Sequence, residues 1–271
     1  MKKVVKSHGC PFSHDVSSCH NILPTNIIWD HIGSSDSDVS VYFDYNHAGG
    51  FDNDQDRTKF LWICESKAIT GKVLENIEGN ADQFFDCYDA IFTHDRDLID
   101  RDNRFSYLPN AANKHWIVDT GIHPKERLVS MINSGKTMCG GHLIRNKIAT
   151  QLKDKIDMFG RTFNPIEKKE EGLNRYMFSL AVENAQYKTY VTEKLMDCFA
   201  TGTLPIYMGS PDIFDHFNPD GIIKMENGFK VDDITKDLYH SKMDAIKDNY
   251  ERCMQSRSAD DLLYDEIVKY G

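Results

Sequence analysis

The sequence predicts an α/β protein of two lobes facing each other across a cleft, each lobe built on a largely parallel sheet. Three observations carry this. At 271 residues the chain exceeds one ordinary compact domain, so two domains of roughly 100 to 150 residues are the default. Short runs rich in Val, Ile, Phe and Tyr alternate with polar connections and helical stretches along the chain, which is the pattern of strands feeding helices. No fixed-period repeat or low-complexity segment interrupts that alternation.

In the first half the strand-like runs are KKVVK, NIIWD, DVSVYFDY, KFLWICES, DAIFTHD and RFSYLPN. Asp, Asn, Gly and Ser bound them, the residues that end strands in turns. Between the fourth and fifth runs, GKVLENIEGNADQFFDCY carries Val73, Leu74, Ile77, Phe84 and Phe85 among polar residues, a weakly helical pattern. In the second half KTMCGG reads as a strand ending in a glycine pair. HLIRNKIATQLKDK follows as an amphipathic helix with Leu143, Ile144, Ile148 and Leu152 on one side. Next come the strands IDMFG and RYMFSLAVE, the helix TEKLMDCFAT, the strand GTLPIYMG, the short helix SPDIFDHF and the strand GIIKM. A charged helical tail runs from Asp232. Gly121 and Pro124 interrupt both periods within residues 114–128, and the expected division is 1–120 and 121–271.

Hydrophobic residues make up 40% and charged residues 27%, a soluble globular balance. A formal charge of -10 with lysines scattered among acids argues against a general nucleic-acid binder, which needs a concentrated basic surface, while leaving room for a local basic pocket. No run approaches the roughly 20 apolar residues that span a bilayer, and the start MKKVVKSHGCPFSHD has no apolar centre of a signal peptide. Seven cysteines without framework spacing read as reduced thiols, and a cytoplasmic setting is expected. His8, Cys10, His14, Cys19 and His20 cluster in sequence but lack paired zinc-ligand spacing. A polar loop after the first strand is the expectation there, with no metal and no cofactor.

The most polar stretch beside an apolar run is VENAQYKTYVTEKL, residues 182–195. It joins a strand to a helix at the strand's carboxyl end, where α/β folds place their sites. Thr192 is a natural N-cap, with Glu193 and Lys194 in the first turn. A capped helix with a solvated Glu-Lys pair would explain part of this. A first-turn lysine, however, opposes the helix dipole, and a negative ligand explains it better. CGGHLIRNK offers a second helix start, with glycines that let the backbone approach closely and with Arg145, whose planar fork suits phosphate oxygens. Neither a dinucleotide nor a P-loop glycine pattern occurs. Two helix N-termini with Arg145 and Lys194 make a receptor for a diphosphate, and Gly209, Ser210 and Pro211 add a turn at the same edge.

Three linked features of YMFSLAVENAQYKTYVTEKLMDCFATGTLPIYMGSPDIFDHFNP carry a family likeness. They are Phe-x-x-x-x-Glu-Asn from Phe178 to Asn184, Tyr-Val-Thr-Glu-Lys from Tyr190 to Lys194, and Pro-Ile-Tyr-x-Gly-Ser-Pro from Pro205 to Pro211. In order and spacing this run resembles the donor-binding signature of the family 10 glycosyltransferases, the α1,3/α1,4-fucosyltransferases. The resemblance covers roughly residues 135–225. It implies two Rossmann-like lobes in the GT-B arrangement, metal-independent transfer of fucose from GDP-fucose with inversion, and a glycan acceptor. It further implies that Arg145 and Lys194 hold the diphosphate and that Tyr190 and Glu193 contact the nucleotide. Glu183 and Asn184 match the donor-side Glu-Asn pair, with Glu183 either touching donor or supporting the loop. The chain departs from many relatives in the Val before Glu183 and in its short length, and it is expected to be without the membrane anchor and stem of eukaryotic members.

Inverting transfer needs a group that takes the acceptor hydroxyl's proton. Glu65, at the end of the apolar run in WICES, resembles by position the family's general base; its plain alternative is a solvated strand-end acid. Asp95, Asp44 and His47 compete for the role. Trp62, Tyr45 and His94 are candidates to line an acceptor groove, since flat aromatic faces suit sugars, while core packing explains Trp62 equally well. Two other readings stay open: the same fold with another nucleotide sugar, and a catalytically silent nucleotide- or sugar-binding protein.

Overall fold

The computed structural model describes residues 2–20, 22–226 and 228–270, which form two compact units. The first comprises residues up to Asn113 and from Arg257 on; the second is Lys114–Ser256. In the first unit β1 (Lys3–His8), β2 (Ile27–Asp30), β3 (Val39–Phe43), β4 (Thr58–Ile63), β5 (Ala90–Thr93) and β6 (Phe105–Tyr107) match the six strand-like runs. They pair in the order β2-β1-β3-β4-β5-β6, every neighbour parallel. Every residue of β3 and β5 is buried, because a parallel sheet is covered on both faces. One cover is α1 (Lys67–Gly79) with α2 (Ala81–Cys87), whose Val73, Leu74, Ile77 and Phe84 pack on Leu61, Ile63 and Ile91. A short α3 (Arg96–Arg101), absent from the sequence reading, is started by Asp95, whose carboxylate accepts from the backbone N–H of Asp97 and Leu98.

The second unit contains β7 (Arg127–Ile132), α4 (Gly140–Leu152), β8 (Asp157–Phe159), β9 (Tyr176–Val182), α5 (Glu193–Ala200), β10 (Leu204–Met208) and β11 (Ile223–Lys224). Helices α6 (Lys236–Ser241) and α7 (Met243–Gln255) follow. Its sheet has the order β11-β10-β9-β7-β8 and is again parallel. Three expectations are corrected. KTMCGG is not a strand: the first strand of this unit is RLVSMI, and residues 133–139 are the loop that follows it. Leu143 and Ile144 do not lie on the inner face of α4 but are exposed, because the buried face runs through His142, Arg145, Ile148 and Ala149. SPDIFDHF forms only a 3-10 turn, Ile213–Asp215.

The expected division at 120/121 differs from the observed one at both ends of the second unit. The chain changes unit at Asn113, and the tail does not stay with the second unit. Its last helix, α8 (Ala259–Ile267), sends Ala259, Leu263 and Ile267 into the core of the first unit beside Trp29, Phe43 and Trp62. Spacing of four places these three residues on one helical stripe. Asp260 fixes the register: buried, it accepts from Trp29 Nε1 at 2.6 Å, Ser18 Oγ at 2.6 Å and the Ser18 N–H at 3.2 Å. Among the described residues no helix is long and apolar enough to cross a membrane.

Candidate functional site

In the second sheet β7 has β8 on one side and β9 on the other, so the chain leaves their carboxyl ends in opposite directions. Such a switch point opens a crevice at the strand ends. The loops bordering it are 133–139 after β7 and 183–192 after β9, the second being the polar stretch singled out in the sequence.

Helix α4 starts against the second of these loops. A Cβ on Gly141 would stand 1.8 Å from the Asn184 carbonyl oxygen, so no side chain fits. Cys139 Sγ donates to the same oxygen at 3.5 Å. Arg145, one turn further, is 3% exposed. Its Nη1 donates to the Val182 carbonyl at 3.4 Å and its Nη2 to Ser134 Oγ at 3.2 Å. Its Nε has no hydrogen-bond partner among the described residues, although burying such a donor unpaired is costly. Burial lowers the arginine's pKa, against the pull of the Glu183 and Glu193 carboxylates. His142, also buried, accepts the Met138 N–H on Nδ1. Burial, then Arg145, Lys136 and Lys194, push it down to about 4, so it is neutral near pH 7. Among the described residues α4 has neither a side-chain cap nor an acid in its first turn. A helix start with uncapped N–H groups beside a buried guanidinium is suited to an anion.

Helix α5 begins as the sequence indicated, with Thr192 as N-cap accepting from the Lys194 N–H. Glu183 is buried, and its carboxylate accepts the Thr192 N–H at 2.9 Å and hydroxyl at 2.7 Å. Of the two roles open to it, these contacts are those of loop support. Lys194 Nζ lies 3.5 Å from Glu183 and 3.3 Å from Glu193. These carboxylates give the lysine local partners, beside the negative ligand expected to explain it. Glu193 also pairs with Lys169 at 3.3 Å, and Lys169 with Asp197 at 2.6 Å. Burial alone would raise Glu193, but Lys169 and Lys194 hold it well below the usual carboxylate range. Lys169, on a 3-10 turn 24 residues before Glu193, had no signal in the sequence; only the fold brings it here. Asn184 and Tyr190 are buried in the same loop. Thr189 adopts a left-handed φ of 61°, its N–H donating to Asp212, and the Ser210 hydroxyl bonds the same carboxylate. Gly209 is required nearby, since a Cβ would stand 2.2 Å from Tyr207 Oη and 2.6 Å from Glu183 Cγ.

In the first unit Glu65 follows β4 and is half-buried. Asp44, its neighbour after β3, is buried and accepts the N–H groups of Cys64 and Glu65. Asp95 is occupied as the α3 cap and by Lys67 at 3.4 Å. His47 bridges the Asp44 carbonyl and Asn76. Of the three candidate groove residues, Trp62 lies in the core at 0% exposure, the second of the two readings open to it, and His94 is buried with Nε2 3.2 Å from the Glu65 carbonyl. Tyr45 alone presents its ring, 66% exposed, with its hydroxyl held by the Ile69 carbonyl. Early in the chain His8 bonds Ser40 and His20 pairs with Asp15.

The family model for the C-terminal part of glycosyltransferase family 10 (fucosyltransferase) matches residues 122–262. The alpha-(1,3)-fucosyltransferase FucT of Helicobacter pylori is 33% identical over 96 residues, 35% of this chain and 17% of that protein. The human 3-galactosyl-N-acetylglucosaminide 4-alpha-L-fucosyltransferase is 32% identical over 100 residues, 35% of this chain and 28% of that protein. The matched segments thus span less than a third of these relatives. A crystal structure of an α1,3-fucosyltransferase superposes with a TM-score of 0.51 at 18% identity, covering 95% of this chain and 81% of that one. A second, of α1,3-fucosyltransferase with GDP, gives 0.50 at 19% identity over 94% and 82%. At these identities the likeness speaks for the two-lobed α/β fold.

Proposed function

Since the chain belongs to glycosyltransferase family 10, the fucosyltransferases, we propose that it transfers fucose from GDP-fucose to a hydroxyl of a glycan. The observation that carries this reading is Arg145, buried one turn into an uncapped helix, its Nε without a hydrogen-bond partner among the described residues, beside the switch point of the second sheet. A guanidinium placed so is poised for phosphate oxygens. In the reading, Arg145 and Lys194 take the charge that grows on the departing diphosphate. Glu193, kept ionised by Lys169 and Lys194, and the loop residues Tyr190 and Asn184 face the nucleotide. Glu183 serves by holding Thr192 and Lys194 in place. The relative with GDP in its structure supports this choice of donor.

For the transfer, the acceptor oxygen forms a bond to the anomeric carbon as the bond to the β-phosphate oxygen breaks. GDP leaves with the electron pair, the configuration inverts, and Glu65 takes the hydroxyl proton. Two fixed cations serve the role a metal plays elsewhere, so no divalent ion or cofactor is part of the proposal. A cytoplasmic setting goes with it, supported by an odd number of thiols dispersed along the chain. The test is transfer of radiolabelled fucose from GDP-fucose to a panel of oligosaccharides in the presence of chelator. Labelled saccharide at an unchanged rate is expected. No transfer to any saccharide, or transfer abolished by chelator and restored by manganese, would overturn the corresponding part of the reading.

A further inference from the structure

Glu65 is held through the backbone of its own residue and of Cys64. Asp44 Oδ1 accepts two consecutive N–H groups, from Cys64 at 2.8 Å and Glu65 at 3.2 Å. On the other side, Asn110 Nδ2 donates to the Cys64 carbonyl at 2.5 Å and His94 Nε2 lies 3.2 Å from the Glu65 carbonyl. Thr70 Oγ1 adds a longer bond to that carbonyl at 3.4 Å. Three side chains from three loops, those following β3, β5 and β6, thus converge on one dipeptide, and each is at least nine-tenths buried.

We propose that Asp44, His94 and Asn110 are positioning residues for Glu65, a three-sided clamp on the Cys64–Glu65 peptide planes that sets the direction of its side chain. The inference rests on the reading of Glu65 as general base. A loop that merely needed its polar groups satisfied could be served by water or by one neighbour; here two N–H groups and two carbonyls are each met by a buried side chain. Asp44 takes this place at a backbone cost, with φ at 38° in the left-handed region. It also carries a desolvation cost, since burial, with Glu65 adding repulsion, pushes its carboxyl up to about 7. Its Oδ1 accepts the two N–H groups in either charge state. His94 is kept neutral by burial, leaving a single N–H for the Glu65 carbonyl. The Asn110 amide orientation is fixed because its Oδ1 receives the Ala112 N–H at 2.7 Å. Such over-determination is what a base needs, because misplacement by about 1 Å costs on the order of 100-fold in rate.

The experiment compares Asp44→Ala, Asp44→Asn and Glu65→Gln on any saccharide acceptor that the wild type uses, with GDP affinity and thermal unfolding measured in parallel. Asp44→Ala is expected to lower kcat by about 10- to 100-fold with GDP affinity unchanged. Asp44→Asn, which keeps the accepting oxygen, should restore most of that loss. A folded Asp44→Ala protein with wild-type kcat, beside an impaired Glu65→Gln, would overturn the clamp while leaving the base in place. Wild-type turnover by Glu65→Gln would instead overturn the base and the clamp's purpose together. Should Asp44→Ala fail to fold, His94→Leu against His94→Gln decides the matter. A kcat loss in the first that the second restores supports the clamp, and equal, wild-type kcat in both contradicts it.

Discussion

Arg145 and Lys194 could be singled out as residue types, because a cation near a helix start opposes the dipole. Their surroundings were not. Nothing in Phe-x-x-x-x-Glu-Asn tells that the Glu183 carboxylate turns toward Thr192, since that depends on how the loop closes in space. His142 carries no signal of its own in the sequence, while the fold buries it near the charges of Arg145, Lys136 and Lys194. Its folded pKa of about 4 lies below the ordinary 6.5, so the fold binds its neutral form. The stability it contributes is present above pH 6.5 and is lost as pH falls through about 4. NMR titration should show the His142 imidazole unchanged from pH 8 to about 5; a midpoint near 6.5 would contradict its burial among cations. Glu65 stands out in sequence only by its place at a strand end, while Asp44 and Asn110, which bond the Cys64–Glu65 backbone, lie 21 and 45 residues from it.

Continuous apolar runs bounded by turn residues, such as β3 and β9, and the capped helix α5 were read correctly. The failures have physical causes. RLVSMI, which is β7, hides its pattern behind a buried serine whose hydroxyl donates to the Gly172 carbonyl at 2.6 Å, and it follows directly on a proline- and charge-rich connection. KTMCGG borrowed the strand's place because a glycine pair marks many strand ends, whereas here the glycines open α4. The pair separates cleanly by mutation. A Cβ at Gly140 meets nothing within 4 Å, while one at Gly141 meets the Asn184 carbonyl. Gly140→Ala should be neutral or slightly stabilising, as alanine favours helix. Gly141→Ala should cost about 1–3 kcal/mol by overpacking and weaken GDP binding by shifting α4 off its loop. Chemical denaturation with GDP titration checks both; equal behaviour of the two variants would contradict the close approach.

For the whole molecule, two parallel α/β units were legible from alternation alone, but the return of the chain to the first unit was not. The stripe of Ala259, Leu263 and Ile267 says that α8 is buried without saying where. Asp260→Ala would strand Trp29 Nε1 and Ser18. It should therefore destabilise the first unit by about 1–3 kcal/mol, with GDP binding by the second unit retained; a loss below about 0.5 kcal/mol in urea unfolding would contradict the buried contacts. The central claim, that the second unit receives a guanosine-diphosphate sugar on the guanidinium of Arg145, is tested most directly by titration calorimetry of GDP-fucose in chelator, with wild type and Arg145→Met. Methionine fills the buried volume but removes a charge-assisted contact worth about 1.5–3 kcal/mol. Saturable binding by the wild type, weakened about 10- to 100-fold in the variant, is the predicted result. Equal affinities in the two proteins, or no binding by the wild type, would contradict it.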